Sequence, residues 1–200
     1  MILPRHESGF KAPLAGPFFS WGLVAALLLL GACTSIPLNP TSPVPLAPAV
    51  DLPRFMGDWY VIAHIPTFLD RTAHNAVENY KLEDDGRIAT TYRNRKGGFD
   101  GELKVMTPTG HVVAGTGNAL WGMSFVPLVR GEYRVAHLEP DYSVTIIGRS
   151  DLDYVWMMSR SPEMSDADYA RYTQLIASWG YDMSKLLRVP QRWPDPAVRP

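Results

Sequence analysis

Cys33 is the one thiol in this 200-residue chain, and the side chains best suited to chemistry are scattered around it rather than gathered. A lone cysteine excludes an internal disulfide framework and a multi-cysteine zinc site, so its sulfur is free, reactive or modified. Gly122-Met123-Ser124-Phe125 does not complete the Gly-x-Ser-x-Gly elbow that an esterase nucleophile would occupy. Gly115-Thr116-Gly117 lacks the lysine and following helix of a phosphate loop. His64, His74, His111 and His137 have no metal-ligand spacing and read as surface or loop residues. No catalytic residue, metal or cofactor is expected, and the chain reads as a non-enzyme. With 19 basic against 20 acidic side chains there is no cationic excess to meet phosphates, which argues against a nucleic-acid partner.

The neighbours of Cys33 point to modification. Arg5, His6 and Lys11 precede an apolar stretch over 14–30, which ends in Leu30-Gly31-Ala32-Cys33. A positive region, an apolar core and small residues before a cleavage point make a secretory signal, and Pro17 argues against a permanent transmembrane helix. Leu-Gly-Ala-Cys resembles the bacterial lipobox, which implies a diacylglycerol on the Cys33 sulfur and further acylation such as palmitate. Multiple acyl chains make such anchoring stable. Thr34 stands where an aspartate would imply inner-membrane retention, so the resemblance implies sorting to the outer membrane.

The expected organisation is a lipoprotein signal peptide over 1–32, the lipidated cysteine and a proline-rich tether over 33–50, a folded domain over 51–193, and a tail over 194–200. Five prolines between Thr34 and Pro48 preclude helix or sheet and favour an extended spacer. Short strand candidates follow at 57–65, 76–83, 87–93, 99–107, 112–119, 124–129, 132–139, 143–148 and 154–159, one of which is expected to merge with a neighbour. Asp84-Asp85-Gly86 marks a hairpin, since Asp-Gly accepts positive φ. One helix comes last. Ser165 caps it with Asp168 three residues on, Tyr169, Tyr172, Ile176 and Trp179 form an apolar stripe, and Gly180 ends it. Closely spaced strands without intervening helices suggest an antiparallel meander, sandwich or barrel.

Three motifs then fall in order. Gly57-Asp58-Trp59-Tyr60-Val61-Ile62-Ala63 resembles the Gly-x-Trp motif of lipocalins. Asp141-Tyr142 is similar to that family's second motif, with Pro140 where a threonine is usual. The run from Asp153 to Pro162 resembles the third, whose arginine is Arg160 here. The resemblance covers essentially all of 51–193 and is closest to the bacterial outer-membrane lipocalins. It implies an all-β fold, an eight-stranded antiparallel up-and-down barrel with one C-terminal α-helix packed outside. It also implies a structural role for Trp59 and Arg160, the indole closing the barrel floor beneath the guanidinium, a contact worth about 0.5–2 kcal/mol.

An eight-stranded barrel has room for side chains or one small ligand, with lipocalins the standing example. With Trp59 pointing inward, alternation puts Val61, Ala63 and Ile65 on the same face, and Tyr60 and Ile62 outside under the helix stripe. Counting back from Arg160 gives Met158, Trp156 and Tyr154. Phe125, Tyr133, Val135, Val144 and Ile146 are further candidates to line a pocket. The implied function is a lipid-anchored protein of the bacterial outer membrane that stores or transports fatty acids or lysophospholipids for envelope maintenance; the resemblance also allows a homodimer. A 16-carbon chain would supply on the order of 10 kcal/mol of gross burial energy. Two alternatives stay open: a lipocalin-fold enzyme acting on an apolar substrate, and a structural lipoprotein whose barrel is filled, with Arg93-Asn94-Arg95-Lys96 as a contact patch.

Overall fold

The computed structural model describes residues 39, 41–67, 70–126 and 129–195. The expected signal peptide and Cys33 lie outside the described residues. The strands are β1 (Gly57–Ile65), β2 (Ala73–Leu82), β3 (Arg87–Lys96), β4 (Leu103–Met106), β5 (Thr109–Val112), β6 (Leu120–Val126), β7 (Val129–Leu138), β8 (Val144–Gly148), β9 (Val155–Ser159) and β10 (Leu187–Arg188). The strands pair antiparallel in the order β10-β1-β2-β3-β5-β6-β7-β8-β9, and β1 closes on β9 from Tyr60↔Ser159 to Ile65↔Val155. β4 and β5 both pair with β3, on either side of Thr107-Pro108, and share one position in the ring. The result is a closed eight-stranded barrel with extra strands. Closure removes the exposed edges that an open sheet would present.

Local chemistry explains where the strands begin and end. The β2–β3 hairpin turns at Gly86, with φ +80°, and Asp85 accepts hydrogen bonds from the Arg87 backbone and guanidinium at 3.0 and 2.6 Å. Residues 112–119, expected as a strand, are mostly a turn: Gly115, Gly117 and Asn118 all have positive φ, which breaks pleated pairing. The strand expected at 124–129 is split, its first part ending β6 and its last residue opening β7. A short helix α1 (Leu52–Phe55), unforeseen in the sequence, precedes β1, with Asp51 as its N-cap. The long helix α2 (Asp166–Ser178) starts at Ser165, whose hydroxyl accepts from the Asp168 backbone N–H.

Two apolar clusters result, one on each side of the wall. The inner one contains Trp59, Val61, Tyr80, Trp121, Tyr133, Val135, Trp156 and Met158. The outer one packs Ile62, Ala63, Ile65, Val144, Ile146 and Met157 beneath Tyr172, Ile176 and Trp179. Helix α2 therefore covers barrel residues that would otherwise face water, burying its stripe at about 25 cal/mol per Å² of apolar area.

The segments flanking the barrel, 44–50 and 189–195, are more tightly held than the sequence indicates. Residues 44–50 belong to the expected tether, yet Val44, Ala47 and Val50 are buried. The Ala47 N–H donates to the Val135 carbonyl and the Val50 N–H to that of Gly117, both at 2.8 Å. Prolines between these residues leave few backbone donors to satisfy, so the segment can lie against the barrel without belonging to its sheet. At the other end, the Val189 N–H donates to the Ile62 carbonyl at 2.9 Å, and Gln191 Nε2 to that of Val61 at 2.8 Å. Asp195 pairs with Arg95 through two hydrogen bonds of 2.9 and 3.0 Å, so the packed domain runs past the expected end at 193.

Candidate ligand-binding site

One end of the barrel is sealed. Phe55, at the end of α1, places its ring 5.0 Å from Trp59, 5.5 Å from Tyr80 and 5.4 Å from Trp121. Trp59 is fully buried, and its indole N–H donates to the Phe55 carbonyl at 2.9 Å. The Arg160 guanidinium lies 3.8 Å above the indole. It donates to the carbonyls of Asp58 (2.6 Å), Arg54 (3.0 Å), Phe55 (3.0 Å) and Met56 (2.8 Å). Three of those carbonyls end α1, where a helix leaves acceptors without intrahelical donors, so the cation caps them. Burial lowers the guanidinium pKa to about 10, which leaves it charged at neutral pH. Gly57, at φ +91°, makes the turn from α1 into β1 that a side chain would resist.

The second motif braces the same end. Tyr142 has φ +64°, held by an Asp141 side chain that accepts from the Ser143 N–H at 2.9 Å. The Tyr142 hydroxyl accepts from the Asp51 N–H at 2.9 Å, and Arg54 lies 4.0 Å over its ring.

From this floor toward the other end, the interior fills with aromatic rings. Trp121 stacks on Tyr133 at 5.4 Å, Tyr92 stacks on Trp156 at 5.7 Å, and the Tyr80 and Tyr133 hydroxyls hydrogen-bond to each other. A hollow of about 70 Å³ remains, lined by Thr67, Glu78, Met123, Phe125, Tyr133, Tyr154 and Trp156. Thr67 follows the end of β1 and Phe125 stands near the end of β6, both away from the Trp59 floor. Phe125 is 57% exposed, which marks this as the open end. The hollow is small beside the roughly 300–1,000 Å³ of ordinary ligand pockets.

The inner wall includes ionisable side chains. Glu78 is 1% exposed, and burial, with Asp70 adding to it, pushes its pKa well above the usual carboxylate range. Asp70 and His64 are also buried, with Asp70 Oδ2 3.2 Å from His64 Nδ1 and Asp70 Oδ1 accepting from the Thr67 hydroxyl at 2.8 Å. Glu78 Oε2, Trp156 Nε1 and the Tyr92 hydroxyl are buried without a hydrogen-bond partner among the described residues.

The expected pocket residues divide into two groups. Val61, Tyr133, Val135, Trp156 and Met158 belong to the inner cluster, and Phe125 and Tyr154 border the hollow. Ala63, Ile65, Val144 and Ile146 do not; they belong to the outer cluster under α2. For β1 the reason is a bulge: Val61 pairs with Met158 but Ala63 with Met157, so the alternation shifts by one residue at Ile62. His64 then takes the inward position, opposite Trp156. In β8 both faces are buried, so apolar character cannot show which face is inside. Thr145 and Ile147 take the inner register, opposite Met158 and Trp156.

Sequence reasoning missed Glu78, Asp70 and Phe55. Glu78 could have been found, because it shares strand parity with the inward Ala76 and Tyr80. Asp70 and Phe55 sit in a turn and a short helix with no periodic signal.

Comparisons with known proteins match this architecture. A family model described as a lipocalin-like domain matches residues 50–191. Temperature-induced lipocalin-1 of Arabidopsis thaliana is 32% identical over 149 residues, covering 71% of this chain and 80% of that protein. Outer membrane lipoprotein Blc of Citrobacter freundii is 29% identical over 173 residues, covering 84% and 93%. Among solved structures, insecticyanin of the tobacco hornworm Manduca sexta superposes with a TM-score of 0.57 at 16% identity, covering 77% and 85%. The cockroach allergen Per a 4 gives 0.56 at 16% identity, covering 74% and 92%. A closed barrel floored by Trp59 under Arg160, with one helix outside and a family match over residues 50–191, makes this chain a member of the lipocalin family.

Proposed function

We propose that the protein is a lipid-anchored lipocalin of the bacterial outer membrane. It binds an apolar ligand of the fatty acid or lysophospholipid class at the open end of its barrel, and stores or transports it in envelope maintenance. The observation that carries this reading is the largely apolar hollow behind the exposed Phe125, in a barrel sealed at its other end by Trp59. As it stands the hollow admits one end of an alkyl chain. Met123 and Phe125 border it, and a flexible methionine and a half-free ring can move aside to admit more. The relatives named outer membrane lipoprotein support the location, and Cys33 after Leu30-Gly31-Ala32 supplies the residue for the anchor. The protein acts by binding and not by turnover.

The crowded interior favours one second reading, a structural lipoprotein with a filled barrel. Extraction of lipid from the natively purified chain, followed by titration with fluorescent fatty acid and lysophospholipid, separates the two. Co-purified lipid and saturable micromolar binding support the carrier; absence of both supports the filled barrel.

A further inference from the structure

We infer that the hollow recognises a neutral aliphatic hydroxyl on its ligand, held between Glu78 and Trp156. This rests on the ligand-binding reading above and specifies the polar group that accompanies the apolar chain.

Glu78 and Trp156 both line the hollow, and each has a buried polar atom, Oε2 and Nε1, that no described residue satisfies. Each such atom is expensive to leave unpaired, so the site is built to receive a polar group. The two atoms differ in what they demand. An indole N–H only donates, and an ionised carboxylate only accepts. An ammonium could satisfy Glu78 but offers nothing to the indole. A carboxylate could accept from the indole but would stand as a third acid beside Glu78 and Asp70, where His64 is the basic partner of Asp70 among the described residues. A hydroxyl donates and accepts at once. It also fits whichever protonation state Glu78 holds, because a protonated carboxyl can donate to it while its other oxygen accepts. The Tyr92 hydroxyl, on the cross-strand partner of Glu78, is a further unsatisfied group on the same inner face, its ring stacked on that of Trp156.

The chemistry separates the two lipid classes. A lysophospholipid carries an aliphatic hydroxyl on its glycerol, as a free alkanol does on its end, whereas a fatty acid carries only a carboxylate.

The test is a calorimetric titration of the purified full chain with 1-dodecanol, dodecanoate and dodecylammonium. The same three ligands are titrated into Glu78→Gln and Trp156→Phe, so that partitioning into the carrier detergent cancels. The wild type is expected to favour the alcohol over both ions by roughly tenfold or more, the value of one charge-assisted or desolvated hydrogen bond. Glu78→Gln should shrink the preference over dodecanoate, and Trp156→Phe, which keeps the ring system apolar but removes the N–H, should weaken the alcohol about fivefold. Equal affinity for all three ligands, or an unchanged ratio in both variants, overturns this inference and leaves the carrier reading standing. Failure of all three to bind overturns both. A lysophospholipid compared with its analogue lacking the glycerol hydroxyl identifies the source: loss of affinity assigns the glycerol, and no loss assigns a free alkanol.

Discussion

The Arg160 guanidinium lies 3.8 Å above the Trp59 indole while giving its N–H groups to four backbone carbonyls around the α1–β1 turn. One cation thereby ties the last motif of the chain to the first and holds the barrel floor shut. Arg160→Ala removes the stacking contact and the donors it gives those carbonyls, and is expected to lower unfolding free energy by about 3 kcal/mol. Arg160→Lys should recover little, because an ammonium lacks the planar fork that reaches several acceptors. Urea denaturation of the three proteins checks this. A lysine variant as stable as the wild type would contradict it.

Glu78 makes stability depend on pH. Its folded pKa lies above the ordinary 4.5 because burial, and then Asp70, disfavour its charge. The folded state therefore keeps a proton that the unfolded chain releases. This contribution is fully present below the unfolded value and is lost as pH rises through the folded one. Glu78→Gln carries no such proton. The stability of the Gln variant relative to wild type should rise from about pH 5 upward and then level off. Parallel pH profiles, measured by denaturant unfolding, would show that Glu78 titrates as it does in the unfolded chain.

At the C-terminal end, Asp195 is 7% exposed, receives two hydrogen bonds from Arg95, and accepts a third from Asn75 Nδ2 at 3.0 Å. Asn75 itself sits at φ +47°, beside a bulge in β2. Asp195→Ala leaves Arg95 half-buried without this partner and is expected to cost about 2 kcal/mol, read as a lower melting temperature. Amide exchange should quicken first around Asn75 and Val189. A variant melting with the wild type would mean that the C-terminal residues contribute little to holding the bulges.

The proposed anchor has its own test. Cys33→Ser removes the sulfur that would carry the diacylglycerol, and is expected to move the protein from the membrane pellet to the soluble fraction and abolish labelling by radioactive palmitate. Persistence of label and pellet association in the serine variant would sink the anchor.

The barrel was legible in the sequence because its signals are local or periodic: Asp-Asp-Gly at a hairpin, Ser165 capping a striped helix, and Gly57, Trp59 and Arg160 in motif order. What sequence reading lost were features fixed by distant partners. The bulge at Ile62 is stabilised by Val189, more than a hundred residues away along the chain, and nothing near Ile62 announces it. That single inserted residue sends Ala63 and Ile65 to the helix side and brings His64 inside. In β8, burial on both faces erased the alternation that would have set the phase. The stretch over 44–50 looked like a spacer because it ends a segment with five prolines over 34–48, while its docking depends on carbonyls of Val135 and Gly117. The polar side of the hollow was hidden for a different reason: a glutamate in a strand ordinarily reads as solvent-facing.

Whether the open end of the barrel takes an apolar chain is tested most directly by titrating the full-length protein with a fluorescent lysophospholipid, beside Thr67→Trp, which puts an indole over the mouth of the hollow. Saturable one-to-one binding at micromolar concentration, lost or weakened at least tenfold in the tryptophan variant, is the expected result. Uptake that never saturates, or saturable binding indifferent to the blocked mouth, would contradict it.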